Sequence, residues 1–154
     1  MMQHKMILRV VSKLLIPFIL LFGLYVQWHG DFGPGGGFQA GVIFASAFVL
    51  YGLIYGLGSL RTVLPSWVTR LFLSLGVLIY SGVGVVCMLM GAKFLDYYVL
   101  SSTEHGGQHL GIMLVEIGVG MTVFAGIVTI FCAFAGRAAA DMYQGDGDQE
   151  ESNS

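Results

Sequence analysis

Charged side chains are scarce in this chain. Lys, Arg, Asp and Glu together make up 10% of the 154 residues, whereas hydrophobic residues make up 56%. Soluble globular domains carry roughly 25% charged residues, so this composition excludes an ordinary soluble fold. The chain also lacks the alternating apolar and polar segments of membrane β-barrels. It is therefore predicted to be an all-α integral membrane protein.

Signs of a cofactor or an enzyme active site are also missing. The only two cysteines, Cys87 and Cys132, lie inside apolar runs and form no CxxC spacing, so we expect small packing residues rather than a disulfide framework. All four histidines lie outside the apolar runs, where they could not hold a haem between helices. The glycine-rich stretch at 29–38 is not followed by GK[ST], which excludes a phosphate-binding loop. We expect no cofactor and no enzyme activity.

Long apolar runs dominate what is present. Crossing about 30 Å of hydrocarbon takes on the order of 20 helical residues, and four runs reach this length, at about 10–28, 38–57, 68–91 and 110–135. These predict a four-helix membrane domain over residues 1–137. Residues 138–154 follow this domain, and from residue 141 onward they carry five of the nine acids and almost nothing apolar, which predicts a disordered acidic tail.

The placement of basic residues predicts the orientation. Six of the seven Lys and Arg residues lie at one side of the predicted bundle, and only Lys93 lies at the other. The six flank the start of the first run (Lys5, Arg9, Lys13), lie around the connection between the second and third runs (Arg61, Arg70), or follow the fourth run (Arg137). Cytoplasmic loops hold the excess of Lys and Arg in membrane proteins. Both termini are therefore predicted to be cytoplasmic, with residues 29–38 and the loop 93–109 outside.

Glycine is abundant, with 23 residues, and is concentrated in His29–Phe38, HGDFGPGGGF. The second run continues this pattern, because Gly37, Gly41 and Ala45 recur every four residues. Lipid offers little hydrophobic drive for helix association, so small residues at this spacing favour close backbone approach. We expect a sharp turn at the outer surface that brings Phe38 and this face against neighbours.

Glu116 is the only acid well inside any run. It lies six residues past the predicted outer boundary of the fourth run, which is about 9 Å deep in a helix. Acids within the membrane usually face a bundle interior or a water path. Glu116 is therefore a candidate for an ion path carrying protons or cations, or for pairing with a polar group on another helix. The alternative is that it is wetted near the interface and only anchors packing.

Two histidines are the only candidates for metal ligands. His105 and His109 lie four residues apart in EHGGQH, a spacing that places two imidazoles on one face of a helix and could serve zinc or copper. The two glycines between them argue against a firm helix, and loop histidines commonly face water. We therefore expect no metal site.

Two segments carry a family resemblance. PGGGFQAGVIFASAFVLYGL at Pro34–Leu53 and LVEIGVGMTVFAGIV at Leu114–Val128 resemble the B subunit of the multisubunit Mrp-type, or Mnh-type, sodium/proton antiporters. The resemblance covers about residues 8–137. It supports structural roles for Pro34, Gly35, Gly36, Gly37, Phe38 and Gly41, and an ion-path role for Glu116.

The resemblance implies a small, non-catalytic subunit of the bacterial plasma membrane. Its partners would be other antiporter subunits, both the large ones similar to those of respiratory complex I and small membrane subunits, and the complex would exchange sodium for protons. The chain would support assembly and line part of the ion path. One alternative is a B-like subunit of a membrane-bound hydrogenase or another complex I relative, which the neighbouring genes would reveal. A stand-alone channel is a third possibility, although the chain shows no internal repeat of the kind that transporters commonly use.

Overall fold

The computed structural model describes the backbone of residues 2–30, 35–100 and 104–152. Within these ranges, side chains are described except at 2–5, 104–105 and 139–152. The described chain forms five α-helices and one short 3-10 helix at Tyr97–Leu100. The α-helices are α1 (Met2–Trp28), α2 (Gly37–Tyr55), α3 (Leu57–Val63), α4 (Ser66–Leu89) and α5 (Glu104–Ser152). The predicted all-α class is confirmed.

Four of the helices are long and apolar enough to cross a membrane. The qualifying segments are Met6–Trp28, Gly37–Tyr55, Ser66–Leu89 and Gly106–Ala138. The four predicted membrane helices are therefore confirmed as helices of spanning length and composition. The cytoplasmic placement of the two termini stays a prediction.

The second apolar run is interrupted at Gly56, one residue before its predicted end. Gly56 adopts a φ of 89°, in the left-handed region that favours glycine, and its N–H donates to the Gly52 carbonyl at 2.9 Å. The chain turns there and restarts as α3, which is anchored by the fully buried Leu60. Sequence periodicity did not reveal this short helix.

α5 is the central helix of the bundle. It packs against α2 on one side and α4 on the other, while α1 packs mainly against α2. Between α4 and α5, a Cβ built on Gly76 would lie 2.6 Å from the Gly118 carbonyl oxygen, and one on Gly118 would lie 2.9 Å from that of Gly76. The two helices therefore meet backbone to backbone, which gives the dispersion contacts that drive helix association in lipid.

A small apolar core joins α2, α4 and α5. Ala45 on α2 packs with Phe124, Ala125 and Val128 on α5, and all four residues are buried. The ring of Phe124 meets those of Phe48 and Phe72 edge-on, with centroids 5.3 and 6.0 Å apart. Such edge-to-face pairs are favourable beyond the area that they bury.

The two ends of the bundle differ in composition. At one end, Gly30 and Gly36 lie beside Glu116 on α5, and we call this the glycine end. At the opposite end, α3 and the start of α4 carry Arg61 and Arg70, and we call this the arginine end. The Tyr55 hydroxyl, which donates to the Arg9 carbonyl at 2.9 Å, ties α2 to α1 at the arginine end.

The backbone of α5 extends beyond residue 137. The structure continues α5 through Ser152. Three alanines follow Arg137, and alanine has the strongest helix preference of all residues, so the helix has no local reason to stop there. Disorder of the acidic segment in solution stays a prediction.

Candidate functional site

The Glu116 carboxylate lies in a cradle of glycines at the glycine end. A Cβ built on Gly30 would lie 2.6 Å from Glu116 Oε1 and 2.8 Å from Oε2, and one built on Gly36 would lie 3.1 Å from Oε1. Side chains at residues 30 and 36 would therefore take the space that the carboxylate occupies. The lack of side chains at Gly30 and Gly36 thus leaves room for the Glu116 carboxylate, which comes from α5, a helix distant in the sequence.

The backbones of α2 and α5 touch directly beside this carboxylate. A Cβ built on Gly37 would overlap the carbonyl oxygen of Glu116, and one on Gly41 would lie 2.6 Å from that of Gly120. The four-residue spacing of Gly37 and Gly41 on α2 matches the spacing of Glu116 and Gly120 on α5. This crossing fixes the position of Glu116 through main-chain contacts rather than through flexible side chains.

The start of α2 supplies a favourable electrostatic environment for the carboxylate. Gly36 precedes the helix with a φ of 120° and a ψ of 177°, and its carbonyl accepts the Ala40 N–H at 3.0 Å. The first N–H groups of a helix lack partners within the helix and carry a partial positive charge. Glu116 Oε1 lies beside this turn, so the helix dipole offsets part of the cost of placing an acid within the membrane.

Two glutamine side chains lie near the glycines of this region. The Gln27 Oε1 atom lies 3.0 Å from the position of a Cβ on Gly120, and the Gln39 Oε1 atom lies 3.6 Å from that of a Cβ on Gly36. Sequence reasoning missed both residues. Their signal was available, because each is an amide within a few residues of the glycine stretch, at the end of an apolar run.

A neighbouring pocket of about 430 Å³ has a different character. It lies between α1, α2, α4 and α5, and its polar groups are the Gln27 amide and the Trp28 indole. The rest of its wall is formed by apolar side chains and Gly120, namely Leu24, Phe44, Phe48, Leu64, Phe72, Ile117, Met121 and Phe124. Such a wall offers no oxygen cage for a cation, so the pocket is not itself a cation site.

The remaining residues of the predicted structural motif lie in different environments. Gly35 packs against the end of α1, because a Cβ there would lie 2.8 Å from the Val26 carbonyl oxygen. Gly37 and Gly41 are buried in the α2–α5 crossing. Phe38 is 60% exposed, so its ring is largely outside the packing of this chain. Pro34 lies outside the described residues.

The histidine loop folds differently from the expectation. α5 begins at Glu104, so EHGGQH is helical, and the inference that its glycines would prevent a firm helix was wrong. Gly107 and Gly111 are buried, and a Cβ on Gly111 would overlap the Tyr97 ring. Tertiary packing thus favours the helix. Desolvation of Tyr97 raises the pKa of its phenol, and electrostatic repulsion from Tyr80 and Cys87 raises this pKa further.

Metal ligands do not gather in the described part of the chain. Among those residues, no group of three or more His, Cys, Asp and Glu side chains comes together. His109 is exposed on α5, and the side chain of His105 lies outside the description.

Comparison with known proteins places these features in a family. A family model described as a domain related to the MnhB subunit of Na⁺/H⁺ antiporter matches residues 7–129. The chain is also similar to proteins named for an antiporter subunit, mnhB2, from Staphylococcus aureus strains Newman, JH1 and COL. Each is 34% identical over 139 residues, which cover 88% of this chain and 98% of the relative.

The matched region contains the whole glycine cradle, Glu116 and most of the fourth membrane helix. The resemblance seen in the two sequence segments is therefore confirmed over most of the chain. This multi-pass membrane chain belongs to the family of domains related to the MnhB subunit of Na⁺/H⁺ antiporters.

Proposed function

We propose that this chain is a non-catalytic membrane subunit of a multisubunit Na⁺/H⁺ antiporter in the bacterial plasma membrane. In this proposal it supports assembly with other antiporter subunits and lines part of the ion path at Glu116. The family match and the names of its relatives support the antiporter assignment. The observation that carries the ion-path role is the Glu116 carboxylate in a glycine cradle at the start of α2.

The cradle suits an acid that exchanges ions. A carboxylate can hold a proton or a cation, and competition between the two at one group is what couples their movements in opposite directions. Glu116 is half-buried rather than enclosed, and Gly30 and Gly36 lie against its carboxylate oxygens. An ion can therefore approach the carboxylate while the main-chain crossing holds it in place.

The exposure of α1 supports a role in assembly. Only 11% of the spanning window of α1 is buried within this chain, compared with 33% for α2. Four spanning helices with one intramembrane acid supply little of the broken-helix architecture that transporters use for alternating access. Ion movement in this proposal therefore needs partner subunits, whose helices would pack beside this chain.

Antiport in membrane vesicles that contain the complete complex tests the role of Glu116. We expect Glu116→Gln to lower sodium-driven proton movement at least about tenfold, which corresponds to losing roughly 1.4 kcal/mol of ion stabilisation, while Glu116→Asp retains part of it. Asp96→Asn is the matched control, because Asp96 lies outside the spanning helices. Normal antiport by a fully assembled Glu116→Gln complex would remove Glu116 from the ion path.

Purification from the native host tests the assembly. Tagged protein in mild detergent should co-elute with the large antiporter-like subunits, as identified by mass spectrometry. Co-elution with hydrogenase subunits would assign the chain to that alternative assembly. Recovery of the chain alone, as a stable homo-oligomer, would contradict a companion role.

A further inference from the structure

A second pocket lies at the arginine end, far from Glu116. It has a volume of about 140 Å³ and lies between α3, the first turns of α4 and the later part of α5. Its wall includes Arg61, Leu64, Ser66, Arg70, Thr129 and Cys132. The Glu116 cradle uses none of these residues, and only Leu64 is shared with the apolar pocket beside it.

Two arginine residues line this one small pocket. Arg61 extends from α3 to α5, since its Nη2 atom lies 3.5 Å from the position of a Cβ on Gly136. The Arg70 Nε donates to the Ser66 carbonyl at 3.2 Å, which leaves the terminal nitrogens of this five-donor group for another acceptor. Within the described part of the chain, no carboxylate lines the pocket. Its charge therefore favours an anion.

The rest of the pocket suits a ligand with an apolar portion. Leu64 and Cys132 provide apolar wall between the helices. Ser66 is the first residue of one spanning segment, and Ala138 is the last residue of another. The pocket is therefore near the ends of two spanning segments, where we expect lipid headgroups to meet the hydrocarbon. A free anion would use the guanidinium groups but would leave the apolar wall uncovered.

We propose that this pocket binds the phosphate of an anionic phospholipid. Arg61 and Arg70 hold the phosphate oxygens through charge-assisted hydrogen bonds, and the adjoining apolar wall receives the glycerol backbone and the start of an acyl chain. Guanidinium groups match phosphate oxygens in geometry as well as charge, and basic pockets between membrane helices bind anionic headgroups in this way. The predicted orientation places the site in the cytoplasmic leaflet.

Lipid retention by the full-length chain tests this site. The protein is exchanged into a neutral detergent and titrated with phosphatidylglycerol, with phosphatidylcholine and with inorganic phosphate, and bound lipid is counted by native mass spectrometry. We expect phosphatidylglycerol to bind most tightly and inorganic phosphate to compete weakly. Arg61→Gln and Arg70→Gln should each weaken phosphatidylglycerol binding roughly tenfold, as expected for the loss of one charged hydrogen-bonding group.

Two further variants make the outcome decisive. Arg9→Gln removes the same charge at the same end of the bundle, but from a residue outside the pocket, and it should bind lipid as the parent does. Arg61→Lys should retain part of the affinity and keeps the test open if a glutamine variant fails to fold. Equal binding of phosphatidylcholine, or an equal loss in Arg9→Gln, would overturn the proposal. Competition by millimolar phosphate as strong as that by the lipid would make the pocket a free-anion site instead.

Discussion

At the glycine end, the backbones of α2 and α5 touch beside the Glu116 carboxylate. At the arginine end, by contrast, α3, α4 and α5 enclose a pocket that is lined by side chains. The contacts at the glycine end join main-chain atoms, such as Gly37 with the Glu116 carbonyl oxygen. Those at the arginine end involve the long side chains of Arg61 and Arg70. Main-chain atoms cannot move aside without shifting a whole helix, but long side chains can choose another rotamer.

This difference predicts where the chain tolerates change. A single methyl group added at Gly37 should lower the free energy of unfolding strongly, because the neighbouring Glu116 carbonyl oxygen is held in place by α5. Loss of a whole charged group at the arginine end should leave folding nearly unchanged and alter only what binds there. The predictions below test this contrast, in order of decreasing effect on stability.

The largest effect is expected for Gly37→Ala. Its Cβ would overlap the carbonyl oxygen and Cα of Glu116, so α2 and α5 must separate. We expect a loss of about 3 kcal/mol in the free energy of unfolding, the upper part of the usual range for overpacking. The measurement is unfolding of the purified chain in mild detergent by titration with SDS. An unchanged unfolding midpoint would show that the two helices do not cross as closely as described.

A smaller loss is expected for Gly30→Ala. Its Cβ would lie 2.6 Å from Glu116 Oε1, but the end of a glutamate side chain can shift where a backbone cannot. We expect a loss of about 1 kcal/mol. In a double-mutant cycle with Glu116→Ala, most of this loss should disappear, because the group that causes the clash is gone. Full additivity of the two substitutions would show that Gly30 and Glu116 do not contact each other.

Gly126→Ala should have the opposite sign. Gly126 lies on the same helix as Glu116, and a Cβ there would meet nothing within 4 Å. Replacing glycine by alanine inside a helix then stabilises it by up to about 1 kcal/mol. The same SDS titration measures this gain, which also serves as the matched control for Gly37→Ala. A loss comparable to that of Gly37→Ala would show that the helices are sensitive to any added methyl group.

The smallest effect on folding is expected for the double variant Arg61→Gln and Arg70→Gln. Both side chains are exposed, and exposed substitutions usually change stability by less than about 0.5 kcal/mol. In neutral detergent without anionic lipid, its unfolding should match that of the parent. A large loss there would show that the two arginines hold the bundle together by themselves.

The membrane helices were predictable because hydrocarbon thickness imposes a length on them. The predicted run at 68–91 lies almost entirely within α4, and the run at 110–135 lies wholly within the longer α5. The break at Gly56 and the start of α5 at Glu104 were not predictable in the same way. Apolar content identifies the presence of a helix, whereas its ends depend on positive φ angles and on packing such as that of Gly111 against Tyr97.

The candidate site was predictable in part. Glu116 was identifiable because an isolated acid in an apolar run is costly, and the small face of α2 was identifiable from its four-residue spacing. Their contact was not, because more than 70 residues separate Gly37 from Glu116 along the chain. The amides of Gln27 and Gln39 were missed, since polar residues at the ends of an apolar run commonly face water.

The sequence by itself determined that this chain is helical, that it has four segments of membrane-spanning length, and that it belongs to the MnhB-related family. These properties follow from composition and from local patterns, which act within one segment at a time. Tertiary structure alone decided that α5 lies at the centre, that Gly30 and Gly36 lie against the Glu116 carboxylate, and that two arginines share one pocket. Such juxtapositions arise from the close approach of helices that are distant in the sequence, and close approach depends on the shapes of both partners together.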